Sequence, residues 1–182
     1  MVTLCIKGTT IKFKPMEIFK EIVVDRPIEE AWDVLGNQFS NAYKWARGLD
    51  HSKGYGEPIF EGASCNNRTC EVPGFGTIQE EIRMFDSNNH VLSYEVVKGF
   101  PGFISSAINT WKLEEIGNRT KVSMHLKMET KGIMGIIMGP MMKMKLNKAT
   151  EGVIKDFKHY VEKGIPSPEK EKELLKLSKK AA

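Results

Sequence analysis

Apolar positions recur along this chain with two different periods, and the places where the period changes mark its elements. Met16 to Val24 is rich in Ile, Phe and Val and reads as a strand, closed by Asp25-Arg26-Pro27, where Asp suits a cap and Pro a first helical turn. Ile28, Ala31, Trp32 and Leu35 then follow helical spacing up to Gly36-Asn37, and Phe39, Tyr43, Trp45 and Ala46 suggest a second short helix. From Leu49 to Thr130 the period becomes two, cut by Gly, Pro-Gly and Asn-rich turns into about five further strands. Ile78, Ile82 and Met84 share one face of a strand, Leu92, Tyr94 and Val96 of another, and Val122, Met124, Leu126 and Met128 of a third, each against a polar face. After a Gly- and Met-rich connection, Pro140 opens a helix of about six turns. Its apolar stripe runs through Met142, Leu146, Ala149, Val153 and Phe157 and ends at Gly164.

Single-faced antiparallel strands, two short helices after the first of them and one long helix at the end predict an α+β domain in which a curved sheet wraps a helix. That domain spans 16–164. Residues 1–15 form an extension that reads as an added strand, and 165–182 a charged tail, frayed helix or disorder, with only three Leu to bury.

The chain has 182 residues, one domain's worth. Its net charge of +4 is half carried by the tail, where five Lys face three Glu in the last 16 residues, so the body is nearly neutral and lacks the basic face that nucleic acid requires. Three cysteines without dense spacing do not make a disulfide framework, and the first residues lack a secretory apolar core, so a cytoplasmic location is expected.

The stretch PIEEAWDVLGN at Pro27 to Asn37, the block GASCNNRTCEVPGFGTIQEEI at Gly62 to Ile82 and the terminal helix resemble the START-like helix-grip superfamily (SRPBCC), in its polyketide cyclase/dehydrase and lipid-transport type. The resemblance covers Met16 to Gly164. It implies a helix-grip fold with a hydrophobic cavity between sheet and long helix. In the family's hormone-receptor branch it also implies a pocket Glu matching Glu80 and a pocket Lys matching the place of His51.

Parity puts Glu80 on the dry face of Ile78 and Ile82, while Glu81 points to solvent. Glu80 is either a ligand contact or a strand-end carboxylate held by a neighbouring Lys or turned out by a bulge. Tyr94 turns its ring inward and needs a partner for its hydroxyl. His51 is a further candidate contact, against the plain alternative of a surface histidine. Val72, Ile82, Val96, Met124, Leu126 and Val153 are the expected apolar lining, joined by Ala149 from the helix stripe and by Trp111, whose face the pattern leaves open. Met134 and Met138 in the uncharged run Gly132 to Met142 suit a lid or a membrane-touching flap, with Lys131, Lys143 and Lys145 beside it.

Cys65 and Cys70 sit at an odd offset that sends them to opposite faces of a strand, and no HxxxH, CxxC, G-x-S-x-G or phosphate-loop spacing occurs. No metal and no cofactor is expected. The reading is a monomer or weak homodimer that binds a small hydrophobic molecule or lipid. The alternatives are a cyclase or dehydrase with Glu80 as general acid or base, and a lipid-transfer protein at a membrane surface.

Overall fold

The computed structural model describes residues 3–6, 9–12 and 15–181. Thr3–Ile6 (β1) and Thr9–Lys12 (β2) pair with each other as a two-stranded hairpin, separate from the main sheet rather than a strand added to it. The main sheet is built from β3 (Met16–Val24), β4 (His51–Tyr55), β5 (Asn67–Val72), β6 (Gly76–Asp86), β7 (Val91–Lys98), β8 (Ile104–Ile116) and β9 (Arg119–Thr130). Six strands therefore follow the short helices, one more than the turn signals suggest. The order is β3-β9-β8-β7-β6-β5-β4, antiparallel throughout. This seven-stranded curved sheet, with short helices after its first strand and a long helix behind it, is a helix-grip α+β fold.

Between β3 and β4 the chain makes α1 (Ile28–Trp32), a π-type turn (Asp33–Asn37) and a 3₁₀ segment (Phe39–Lys44). Trp32 packs against Phe85 and His90, and a side chain at Gly36 would collide with its ring. The long helix α2 (Gly132–Lys163) is clamped to the sheet by an aromatic trio: Trp45 from the end of the 3₁₀ segment, Trp111 from β8 and Phe157 from α2, with ring centroids 5.3 to 6.3 Å apart. Trp111 is thus an inward residue, buried with its face-mate Leu113.

Three expectations change. Met84 is 48% exposed while Phe85 is buried, because a bulge between Ile82 and Met84 lets β6 advance two residues against one step of β7 and inverts the faces beyond it. The long helix starts at Gly132 rather than Pro140: a proline eight residues in forfeits one backbone hydrogen bond yet leaves the helix continuous. Gly164, at φ 71°, ends it as a left-handed cap.

The third change is the C-terminal segment, which forms a helix, α3 (Pro168–Ala181), docked by polar contacts. Ser167 caps it, accepting from Lys170 N, with Pro at the first helical position, and donates its own hydroxyl to Asp156 of α2. Lys170 is fully buried and donates to the Leu49 carbonyl at 2.6 Å; burial lowers its pKa. Asp156, also fully buried, takes Arg47 Nε and Nη2 at 2.7 and 2.6 Å, bonds that raise the pKa of Arg47. Removing one partner of a buried pair leaves the other uncompensated. Asp156→Asn should therefore cost about 2–3 kcal/mol in urea unfolding, whereas Glu169→Gln, an exposed partner 3.8 Å from Arg47, should cost under about 0.5 kcal/mol. Equal losses would show that this junction is not what docks α3.

Candidate functional site

β5 and β6 pair so that Arg68 lies directly across from Glu80, with both side chains on the concave face. They are 4% and 6% exposed. Arg68 Nε and Nη2 each stand 2.7 Å from Glu80 Oε2, and Nη1 donates to the Phe39 carbonyl at 2.6 Å. The guanidinium lies 3.9 Å from the Phe39 ring centroid and 5.1 Å from that of Tyr94, so two aromatic faces shield it. Burial, the largest single effect, would lower its pKa; the Glu80 charge, together with Cys70, Tyr94 and the hydrogen bonding to Glu80, offsets that and holds it above the ordinary guanidinium value. Cys70 donates to the same Oε2 at 3.2 Å, and burial first, then Glu80, pushes its thiol up to about 12.

Next to this pair the Tyr94 hydroxyl accepts from Asn109 Nδ2 at 3.0 Å. Burial, then Glu80, raises the Tyr94 pKa, so it stays a neutral phenol with its own O–H to give. Asn109 Oδ1 and Trp45 Nε1 are buried without a hydrogen-bond partner.

Arg68, Glu80, Tyr94 and Asn109 form the floor of an inner chamber of about 160 Å³ whose other walls, Leu35, Phe39, Leu92, Met124 and Val153 among them, are apolar except for Arg47 and Thr150. A second, outer chamber of about 570 Å³ lies against the first half of α2, walled by Phe75, Phe103, Met128, Met138, Met142 and Leu146. Arg47 and Ala149 line both, so the two chambers share a wall at that point. Among the described residues no group of three or more His, Cys, Asp or Glu is placed to hold a metal ion.

The family described as polyketide cyclase/dehydrase and lipid transport matches residues 16–162, which run from the first residue of β3 to the last turn of α2. The chain belongs to this polyketide cyclase/dehydrase and lipid transport family. Among solved structures it resembles a START superfamily protein from Mycobacterium smegmatis at 14% identity and TM-score 0.64, covering 80% of this chain and 97% of that one. A protein from Thermus thermophilus gives 14% identity and TM-score 0.64 over 80% and 96% of the two chains. Ara h 8.0201 gives 14% and 0.63 over 81% and 98%. At such identities the likeness concerns the fold. A search of the curated proteins gives no match.

Within this polyketide cyclase/dehydrase and lipid transport domain, the expected contacts separate into groups. Glu80, Tyr94, Trp111, Met124, Ala149 and Val153 all line the inner chamber, and Val72 lines the outer one. Ile82 is 2% exposed and is spent on packing rather than lining. Val96 borders a separate crevice of about 110 Å³, because β7 pairs with β8 only as far as Glu95 and the strand ends part there. Leu126 is half-buried and lines none of the cavities described. His51 is exposed, stacked 5.1 Å from Tyr43 in an outward-facing depression with Ser52 and Lys53, away from both chambers.

Glu80 is held by an arginine of the neighbouring strand, not by a lysine or an outward bulge. Arg68 and Asn109 were not singled out by the pattern, and Trp45 entered it only as part of a short helix; Arg68 falls on the same face as Cys70, two residues on, but a single strand does not name its partner across the ladder. Cys65 and Cys70 are both buried, since Cys65 precedes β5 and the parity of the strand does not reach it.

Two opposite charges taken out of water are tolerated as a pair and costly apart. Glu80→Gln should therefore destabilise the fold by about 3 kcal/mol, while Glu81→Gln, on the wet face with Arg83, should change it by under about 0.5 kcal/mol. A joint Arg68→Met/Glu80→Leu replacement should cost less than the sum of its parts in a double-mutant cycle. Additive losses would mean that the two charges do not depend on each other.

Proposed function

We propose that the protein binds a small, mainly apolar molecule that fills the outer chamber and extends one oxygen-bearing end into the inner one. The observation that carries this reading is the contrast between two neighbouring spaces: an aromatic and thioether-lined room and, behind the wall of Arg47 and Ala149, a smaller one with a fixed polar floor. The outer chamber falls in the size range of small-molecule sites, and a few placed polar groups in an apolar wall are what orient a ligand there.

The floor has bonding capacity to spare. A guanidinium carries five N–H groups, and three of Arg68's nitrogens engage Glu80 and Phe39 through one bond each, which leaves two hydrogens for an acceptor oxygen. The Tyr94 O–H is a further donor and Asn109 Oδ1 an unpartnered acceptor. A carbonyl, carboxyl or hydroxyl end matches that set, whereas a cation would meet Arg68.

Glu80 in this reading holds Arg68 in place. Both the Arg68 and the Cys70 contacts fall on Oε2, the arrangement of a carboxylate that positions its neighbours, and we read Glu80 as a positioning residue rather than a general acid or base.

An uncharged naphthylamine probe should bind the folded protein with a Kd on the order of micromolar, as apolar sites of this kind allow. Ala149→Trp places an indole in the wall that the chambers share and should weaken that binding at least about ten-fold, a loss of about 1.4 kcal/mol, with unfolding unchanged. Probe binding that ignores Ala149→Trp would place the probe elsewhere and contradict the proposal.

A further inference from the structure

The first half of α2 is apolar on both sides. Met138, Met142, Leu146 and Ala149, at helical spacing, face the outer chamber. Turned away from it, Ile133, Ile136, Ile137 and Met144 are all exposed, the isoleucines at 133 and 137 by 62% and 65%, while Met141 stands at the edge of the chamber. At 100° per residue Ile133, Ile137 and Met144 fall within about 40° of one another, with Ile136 beside them, so they form one stripe over about three turns. Soluble domains scatter such residues singly; a contiguous stripe marks a surface that something covers.

The charges around the stripe say what kind of surface. Lys131, Lys143, Lys145 and Lys148 are all exposed, and no Asp or Glu occurs from Lys131 to Thr150. At 100° per residue, Lys143 and Lys145 fall on opposite flanks of the stripe, where long side chains reach past an apolar face toward polar headgroups. Lys143, Lys145 and Lys148 have no acidic partner among the described residues. A second copy of this chain would set lysine against lysine, which argues against self-association. An anionic lipid surface supplies both what the stripe needs and what the lysines need. No helix among the described residues is long and apolar enough to cross a membrane, so the contact is one of lying on the surface.

We infer that the outward face of α2 from Ile133 to Met144 docks on anionic membranes, its apolar stripe entering the headgroup boundary between flanking lysines. This does not depend on what fills the chambers, and the probe titration above tests that separately.

Vesicle co-sedimentation of the full chain decides it, with phosphatidylcholine alone and with phosphatidylserine added. Binding is expected only to the mixed vesicles, strongest at low salt. Lys143→Gln/Lys148→Gln should lower partitioning by about five-fold per lysine removed. Ile133→Gln/Ile137→Gln/Met144→Gln, all at exposed positions where glutamine keeps the helix, should abolish it with thermal unfolding unchanged. Absence of binding to mixed vesicles at low salt, or binding that neither variant reduces, overturns the inference. So does a wild-type dimer in sedimentation velocity that the triple apolar variant splits, which would make the stripe a self-association face.

Discussion

A carboxylate and a guanidinium removed from water inside a sheet set the terms for everything around them. Arg68 and Glu80 meet across the β5–β6 ladder, and neither can be spared without stranding the other. Because Arg68 also bonds the Phe39 carbonyl and lies over the Phe39 and Tyr94 rings, the pair ties the 3₁₀ segment and β7 to β5 and β6. Such a pair gains little stability over well-packed hydrophobic side chains of the same volume. Its consequence is positional: it fixes donors and acceptors at the base of a space that is otherwise apolar, and the proposed ligand orientation follows from it.

The remainder of the concave face is divided by α2. Toward its C-terminal half, Phe157 locks into Trp45 and Trp111 and leaves only the small inner chamber. Toward its N-terminal half, flexible methionines line a larger chamber instead of filling it. Arg47 lines both chambers, and its side chain is held by Asp156, which also receives the hydroxyl of Ser167 at the start of α3. The C-terminal helix is thus joined, through one buried aspartate, to a residue of the wall that the chambers share.

Much of this is legible in the amino-acid pattern, within limits that have physical causes. Strand parity put Glu80 inward, and it does face in because β6 gains no extra residue between Ile78 and Ile82; the irregularity there adds its residue on β7. Two residues later the same parity fails at Met84, because a bulge adds a residue that periodicity does not count. Arg68 could not be paired with Glu80 from one strand alone, since register across a ladder depends on both partners. Pro140 read as a helix start because prolines favour that position, yet the Gly- and Met-rich segment before it carries the helix eight residues further back. That α3 is docked rather than frayed escaped the pattern because polar bonds from Ser167 and Lys170 hold it, and a hydrophobic pattern has no view of those.

The account rests on one ligand spanning the apolar chamber and the Arg68–Glu80 floor beside it, and a crystal structure of the protein with a bound apolar probe bearing one carbonyl group tests it directly. The carbonyl oxygen should lie within about 3 Å of an Arg68 nitrogen or the Tyr94 hydroxyl, with the body of the probe among the outer-chamber methionines. A probe seated outside the chambers, or a floor closed over by side chains with its oxygen turned to solvent, would contradict it.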